Sequence, residues 1–551
     1  MSENLQSNAS SLPAREQGKL LLLFSILIGG WLRFTPVMHS SFPINDGGMF
    51  YTLIDDLLKN GFAIPAATTY NQSGLPFVYP PLGFYLAATL KQFANILPLT
   101  TIMWVPPIVV TLCTLAVYKL THTLTKNPVK AGVTALCYAL VPASSAWLLM
   151  GGGLTRAFGA LFLLLTIDSA YQLFHTQSPK NVRVLKTILW GSLTVLSHPE
   201  MTILAIGISL LFLITARDYK NLLNAIKVAL GVILLTSPWW LTVIRNNGLD
   251  PFLQAPKTGF YDLVWVVQQL GLFKMVVEPH LTVVSLAGVL GLAILLAKKN
   301  FIIPLFLLTL YLVSPRNANT VGLIPVSMLA ATAILDLMVP ALKNLSVPPK
   351  ILGLLACYLI LVAVMGSHGK MIEFSKTQLS SDNQQAMQWV RENTLPTARF
   401  WVITGTSSLY VDPVLEWFPA LAERQNISTI QGREWVHGEE FFAYAGKIQG
   451  VQKCYWLAAG CVEQKQKSLL LVFDYIYLPK QCLGEPDCSG SLAEQVSPLY
   501  LALSQEKSDY QIVYQNEGVA IFSMRTKNNK HLNAPTVPAQ SDSAVEATVA
   551  D

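Results

Sequence analysis

Charge is what this chain has least of. Only 13% of its 551 residues are Asp, Glu, Lys or Arg, against roughly a quarter in soluble domains. With 52% hydrophobic residues and a mean hydropathy of +0.44, that shortage excludes an ordinary soluble domain and implies a polytopic membrane protein. No basic cluster interleaved with aromatics is present, so the formal net charge of +6 reflects loop lysines and arginines, and nucleic acid is set aside as a partner. The first apolar run, Leu20 to Ile28 and on to about Val37, lacks a small-residue cleavage site. It reads as a retained span rather than a signal peptide. No internal repeat is found.

Apolar runs long enough to cross a bilayer need roughly 20 residues each. They fall near 20–38, 101–124, 130–149, 155–174, 184–198, 200–216, 222–244, 280–297, 301–315, 320–340 and 350–367, which gives about eleven spans. Alternate loops carry Arg15/Lys19, Lys126/Lys130, Lys180/Arg183/Lys186, Arg217/Lys220, Lys298/Lys299 and Lys343/Lys350, and the positive-inside bias makes those loops cytoplasmic. If Tyr79–Phe93 also spanned, every later loop would change sides, so that run is expected to be re-entrant or interfacial. The expected organisation is a cytoplasmic tail over 1–19, a multi-span domain over 20–367 with its first outer loop at 39–100, an extracytoplasmic α/β domain over 368–525 and a disordered tail over 526–551. An integral protein of the plasma or inner membrane follows.

Cysteine is also scarce, with seven in the chain. Cys113, Cys137 and Cys357 lie in spans, where a thiol behaves as a small hydrophobe. Cys454, Cys461, Cys482 and Cys488 form an even, closely spaced set in the C-terminal domain, the pattern of disulfides in an oxidising compartment. Several pairings are open, with 454–461 and 482–488 the nearest-neighbour choice. In the same domain Asn383–Asn393 has helical spacing, and Arg399–Thr404, Ser468–Leu478 and the Gln511–Tyr514/Val519–Ser523 pair read as strands.

Oriented in this way, the unusual polar residues share the outer face. Asp46 sits in Asn45-Asp46-Gly47-Gly48, just past the first span, and Arg156 follows Gly151-Gly152-Gly153. His198-Pro199-Glu200 joins two spans, and Arg316-Asn317 follows Ser314-Pro315. Ionisable groups at membrane depth are functional candidates, yet each has a structural alternative. Asp46 suits a turn. Arg156 suits a headgroup anchor, although the glycines before it would let a phosphate approach backbone amides. Pro199 and Glu200 suit a helix start, and a His/Glu pair is a sparse metal-ligand signal. Arg316 has no acid near it in sequence, and its guanidinium fork matches phosphate. Asp55 and Asp56 read as a solvated helix face.

Asp46 together with Tyr79-Pro80-Pro81-Leu82-Gly83-Phe84-Tyr85, the many-span body and the lead-in Trp389-Val390-Arg391-Glu392-Asn393-Thr394-Leu395-Pro396 before Arg399-Phe400-Trp401-Val402 resemble the GT-C superfamily of integral-membrane glycosyltransferases. That superfamily includes oligosaccharyltransferase catalytic subunits, protein O-mannosyltransferases and aminoarabinose transferases. The resemblance implies inverting transfer of a sugar from a polyprenyl-phosphate donor to a glycan, lipid or protein acceptor, on the extracytoplasmic face and within membrane lipid. It implies Asp46 as base, Arg156 and Arg316 on the donor phosphate, and His198, Glu200 and Tyr79 lining the site. These motifs specify no cofactor. A divalent metal, Mg or Mn, is left open, with Asp46, His198 and Glu200 as candidate ligands. Many relatives carry paired acids where Asp46 is followed by Gly47, a departure that bears on metal more than on the base.

Two other classes compete. A transporter or flippase of lipid-linked or anionic solutes would need polar residues within broken spans in two related halves, a pairing the sequence lacks. A non-catalytic sensor or scaffold would use the C-terminal domain for binding, with Asp412–Trp417 and Gly432–Trp435 setting acids beside aromatics, although tryptophans of this kind are more often core.

Overall fold

The computed structural model describes residues 12–176, 180–259, 283–345, 347–481, 496–506 and 508–525. Seven helices are long and apolar enough to cross a membrane. They are α1 (Ala14–Met38), α4 (Pro98–Thr125), α6 (Gly153–His175), α8 (Pro199–Ala216), α9 (Lys220–Asn247), α12 (Leu323–Asn344) and α13 (Pro349–Ser375). Between them lie α2 (Gly48–Lys59), α3 (Leu82–Ala94), α5 (Pro128–Leu140), α7 (Lys180–Val195), α10 (Val283–Ala297) and α11 (Ile302–Val313). Each of the eleven apolar runs read from the sequence falls on a helix among the described residues, but α5 and α11, of 13 and 12 residues, are shorter than a full crossing. The clearest correction is at 130–149. Helix α5 stops at Leu140, because Val141 is extended ahead of Pro142, the conformation a following proline imposes. The carbonyls at that early end are met by buried groups. Arg33 Nη1 reaches Ala139 O at 3.4 Å and Ser367 Oγ donates to Leu140 O at 2.5 Å.

α1 packs on α5 and α4, α4 on α6, and α6 on α7 and α8, around a core that includes Val117, Leu163, Ile167, Met201 and Phe306. Two of the basic loops meet. Lys130 and Lys298, one from each, converge on Asp336 at 3.1 and 3.0 Å. Two charged groups also lie inside the bundle, where the sequence reading had the polar residues clustered at one end. Asp168 of α6 is 1% exposed and pairs with Lys119 of α4 at 2.9 Å, and Arg33 is similarly buried.

The segment between α1 and α4 ends in α3, a 13-residue helix of about 20 Å. That is too short for a hydrocarbon core of about 30 Å. After α13 come α14 (Ser381–Asn393), β1 (Arg399–Val402), α15 (Pro413–Leu421), β2 (Gln425–Asn426), β3 (Tyr475–Pro479), β4 (Tyr510–Gln515) and β5 (Val519–Met524). The five strands form one sheet in the order β2-β1-β3-β5-β4. β1 runs parallel to β2 and β3, and β5 runs antiparallel to β3 and β4. The expected strand at Ser468 starts later, at Tyr475. Ser468 and Leu469 finish the helix Gly460–Leu469, and Leu470 turns left-handed at φ 50° to end it. Cys454 and Cys461 are disulfide-bonded. Cys482 and Cys488, like the tail at 526–551, lie outside the described residues.

The sheet unit docks on the α1–α4 segment through buried polar contacts. Asn71 and Asn426, which open the glycosylation sequons Asn71-Gln72-Ser73 and Asn426-Ile427-Ser428, meet each other: Asn71 Nδ2 donates to Asn426 O at 3.1 Å and Asn426 N to Asn71 Oδ1 at 2.6 Å. Both are 1% exposed, so neither side chain is available for glycosylation in the folded protein.

Candidate active site

Asp46 belongs to a loop that three elements hold. Asn45 N donates to Thr377 O at 3.2 Å, Asn45 Nδ2 to Val411 O at 2.7 Å, and Trp417 Nε1 to Asn45 O at 2.9 Å. The loop lies on the N-terminal end of α6, and glycine makes that approach feasible. A Cβ on Gly151 would stand 3.0 Å from Gly47 Cα, and Gly47 itself has φ 125°. The Asp46 carboxylate lies over the start of α6. Its Oδ1 accepts Gly152 N–H at 2.8 Å and its Oδ2 accepts from Arg156 Nη2. A carboxylate at a helix N-terminus is stabilised by the exposed amides and the dipole. The glycine run therefore serves Asp46: the Gly152 amide that the sequence offered to a phosphate is occupied by the carboxylate. Arg156 is held on its other side by Trp147. Its Nη1 donates to Trp147 O at 3.2 Å and its guanidinium lies 4.0 Å from the indole centroid.

A second ion pair sits nearby. Glu200, in the first turn of α8, meets Arg316 Nε at 3.4 Å through Oε1 and accepts from Asn317 Nδ2 through Oε2. Arg316 thus has the acidic partner that its own sequence neighbourhood lacks. His198, 5% exposed, stands at the N-cap of α8, and its Nδ1 has no hydrogen-bond partner among the described residues. Tyr79 links the two pairs. Its ring lies edge-on to His198 at 6.1 Å between centroids, and its hydroxyl senses the charges of Arg156, Glu200 and Arg316. Burial pushes the Tyr79 phenol up to about 12, so it stays a neutral donor. All six residues singled out in the sequence, Asp46, Tyr79, Arg156, His198, Glu200 and Arg316, therefore lie at one end of the bundle, the end that carries the sheet unit.

Of the candidate metal ligands, Asp46 and Glu200 each lie against a guanidinium. Among the described residues no three His, Cys, Asp or Glu side chains gather as a metal site would need.

Sequence reasoning missed what the sheet unit contributes. Glu416 of α15 is 4% exposed. Burial, and next the Asp46 charge, push its carboxyl up to about 8. Glu434 is also raised by burial and lies within reach of Arg316. The signal was the two stretches of acids beside tryptophans, Asp412–Trp417 and Gly432–Trp435. Trp417 is fully buried and Trp435 is 6% exposed; Trp435 packs against Tyr79 at 6.1 Å. The tryptophans are core; of the acids beside them, Glu416 faces the Asp46 loop, whereas Asp412 caps α15 through Val414 N and Leu415 N. Asp56 is likewise not a solvated residue. It is 5% exposed and accepts from Thr68 Oγ1, Thr69 N and Thr69 Oγ1 at 2.6, 3.0 and 2.7 Å. Asp55 stays outside, paired to Lys59 at 2.6 Å.

No protein-family profile and no curated protein matches the sequence. Solved structures do match in fold. The oligosaccharyltransferase of Archaeoglobus fulgidus in its apo form superposes with a TM-score of 0.55 at 16% identity, covering 84% of this chain and 69% of that one. ArnT from Cupriavidus metallidurans, bound to undecaprenyl phosphate, gives 0.50 at 11% identity over 93% of this chain and 98% of that one. The arabinofuranosyltransferase AftD from mycobacteria gives 0.51 at 12% identity over 94% of this chain and 40% of that one. The chain shares its fold with these three structures, as the resemblance led one to expect.

Proposed function

We propose that this protein is an inverting glycosyltransferase that moves a sugar from a polyprenyl-phosphate-linked donor to an acceptor on the extracytoplasmic side of the membrane. The observation that carries the reading is the Asp46–Arg156 pair at the head of α6, with Arg316, Glu200, His198 and Tyr79 around it at the same end of the bundle. The fold of three glycosyltransferases, one of them holding undecaprenyl phosphate, supports the donor class. The loop carrying Lys343 and Lys350 is taken as cytoplasmic and α13 is long and apolar enough to cross, which puts residues 368–525 outside, and the Cys454–Cys461 disulfide agrees with an oxidising compartment.

In this reaction Asp46 takes the proton of the nucleophile of a glycan, lipid or protein acceptor. The nucleophile's electron pair forms a bond to the anomeric carbon from the face opposite the phosphate. The bond from that carbon to the phosphate oxygen breaks, and the polyprenyl phosphate leaves with the electron pair. Arg156 and Arg316 hold the phosphate and offset the charge that develops on it, and preorganised charge of this kind is typically the largest catalytic contribution. Tyr79, His198 and Glu200 line the site, with Glu200 orienting Arg316.

The test is Asp46→Asn. Transfer should be lost while folding and retention of undecaprenyl phosphate persist; full transfer by this variant would sink the base assignment.

A further inference from the structure

Glu416 is a buried carboxyl to which the reaction above gives no task. It projects from α15 into the turn between Asp46 and α2. Its Oε1 accepts Met49 N–H at 3.2 Å, and the Gly47 amide also acts on it. α2 has no side-chain cap of its own, since its N-cap residue is Gly47. A carboxyl from a distant segment therefore does the capping. On either side the same short stretch is fastened down. Trp417 Nε1 holds Asn45 O at 2.9 Å, and Tyr70 Oη donates to the Glu416 carbonyl at 2.8 Å. Asp46 is thus bracketed by contacts from Glu416 and Trp417. The second oxygen, Oε2, is buried with no hydrogen-bond partner among the described residues.

We infer that Glu416 is a positioning residue for Asp46: as a neutral acid it pins the Asp46 loop to the sheet unit, and when it ionises it sets a second negative charge beside the Asp46–Arg156 pair and repels the donor phosphate. This inference rests on the assignment of Asp46 and Arg156 to the donor site. The charged groups acting on Glu416 are Asp46, which opposes its ionisation, and Arg156, which favours it. Other ionisable groups on the elements packed against α15 are engaged elsewhere. On α2, Asp55 pairs with Lys59 and Asp56 is bound by Thr68 and Thr69, while the Tyr51 ring lies tilted toward Trp417 at 6.2 Å between centroids. On α14, Arg391 pairs with Glu423 at 3.7 Å, Glu392 accepts from Gln388, and Asp382 lies against Gly518. A group that loses its proton at about 8 is mostly neutral at pH 7 and mostly charged at pH 9.

The experiment uses the full chain in lipid nanodiscs, with undecaprenyl phosphate as the probe. The apparent Kd of the wild type should weaken about tenfold from pH 7 to pH 9, the change in the neutral fraction of an acid titrating midway. Glu416→Gln stays neutral and keeps an oxygen for Met49 N–H, so its Kd ratio between the two pH values should approach one. Hydrogen exchange at the amides of residues 47–53 is read alongside. Glu416→Ala should raise it and Glu416→Gln should not. A wild-type affinity that is flat from pH 7 to pH 9, or a pH effect that survives in Glu416→Gln, overturns the inference. If the probe fails to bind at any pH, the donor reading is what fails. Exchange then decides the clamp by itself: faster exchange in Glu416→Ala alone sustains it, and equal exchange in both variants overturns it.

Discussion

Arg156 Nη2 donates to Asp46 Oδ2 across 110 residues of sequence, while the Gly152 amide takes the other oxygen of the same carboxylate. Each group fixes the other. The guanidinium is stacked on Trp147, so it cannot swing away without giving up both the indole and the acid.

Arg156→Lys tests that geometry. Lysine keeps the charge, but it cannot serve Asp46 and Trp147 O with one planar fork. Transfer should fall about a hundredfold, the typical cost of losing one preorganised donor. Single-turnover kinetics at saturating donor checks it, and near wild-type turnover would show that charge alone suffices.

Gly152→Ala should separate activity from stability. The added Cβ would lie 2.6 Å from Arg156 Nη2 and 2.9 Å from Asp46 Oδ2. It would push the pair apart, and a displacement of about 1 Å can cost a hundredfold in rate. Gly353→Ala, where nothing lies within 4 Å, is the control and should leave both rate and Tm in place. Equal losses in the two variants would refute the steric account.

Asp56→Ala should destabilise the segment between α1 and α4. It strands three donors that now bind one buried carboxylate, at a cost of about 3 kcal/mol. Thermal unfolding of the purified protein should show a clear drop in Tm. A solvated aspartate would give no drop.

Removing the Cys454–Cys461 bond, which closes a loop of sequence separation 7, should cost about 2.5 kcal/mol by the loop-entropy relation. In whole cells a membrane-impermeant maleimide should label these two cysteines only after reduction. Labelling without a reductant would argue against the disulfide, and no labelling after reduction would argue against an outer location.

The two ion pairs show how far a linear reading reaches. Arg316 looks unpartnered along the chain because Glu200 stands 116 positions earlier, and their 3.4 Å contact exists only after α8 and α11 bring their ends together. Asp55 and Asp56 are adjacent in sequence and differ by one helical step. That step of about 100° puts one in solvent and the other under Thr68 and Thr69.

The sequence by itself determined the membrane class, the helix-forming runs, the β4–β5 hairpin and six polar residues that share one end of the bundle. These follow from local physics: apolar run length, turn residues, and the alternation of charge between loops. Tertiary structure decided the partners. It gave Gly152 to Asp46 rather than to a phosphate, buried Trp417 and Trp435 as core, and brought Glu416 to the Asp46 loop from 370 positions away. Burial, and the charges a side chain then meets, depend on how distant segments pack, and no spacing along the chain encodes that directly.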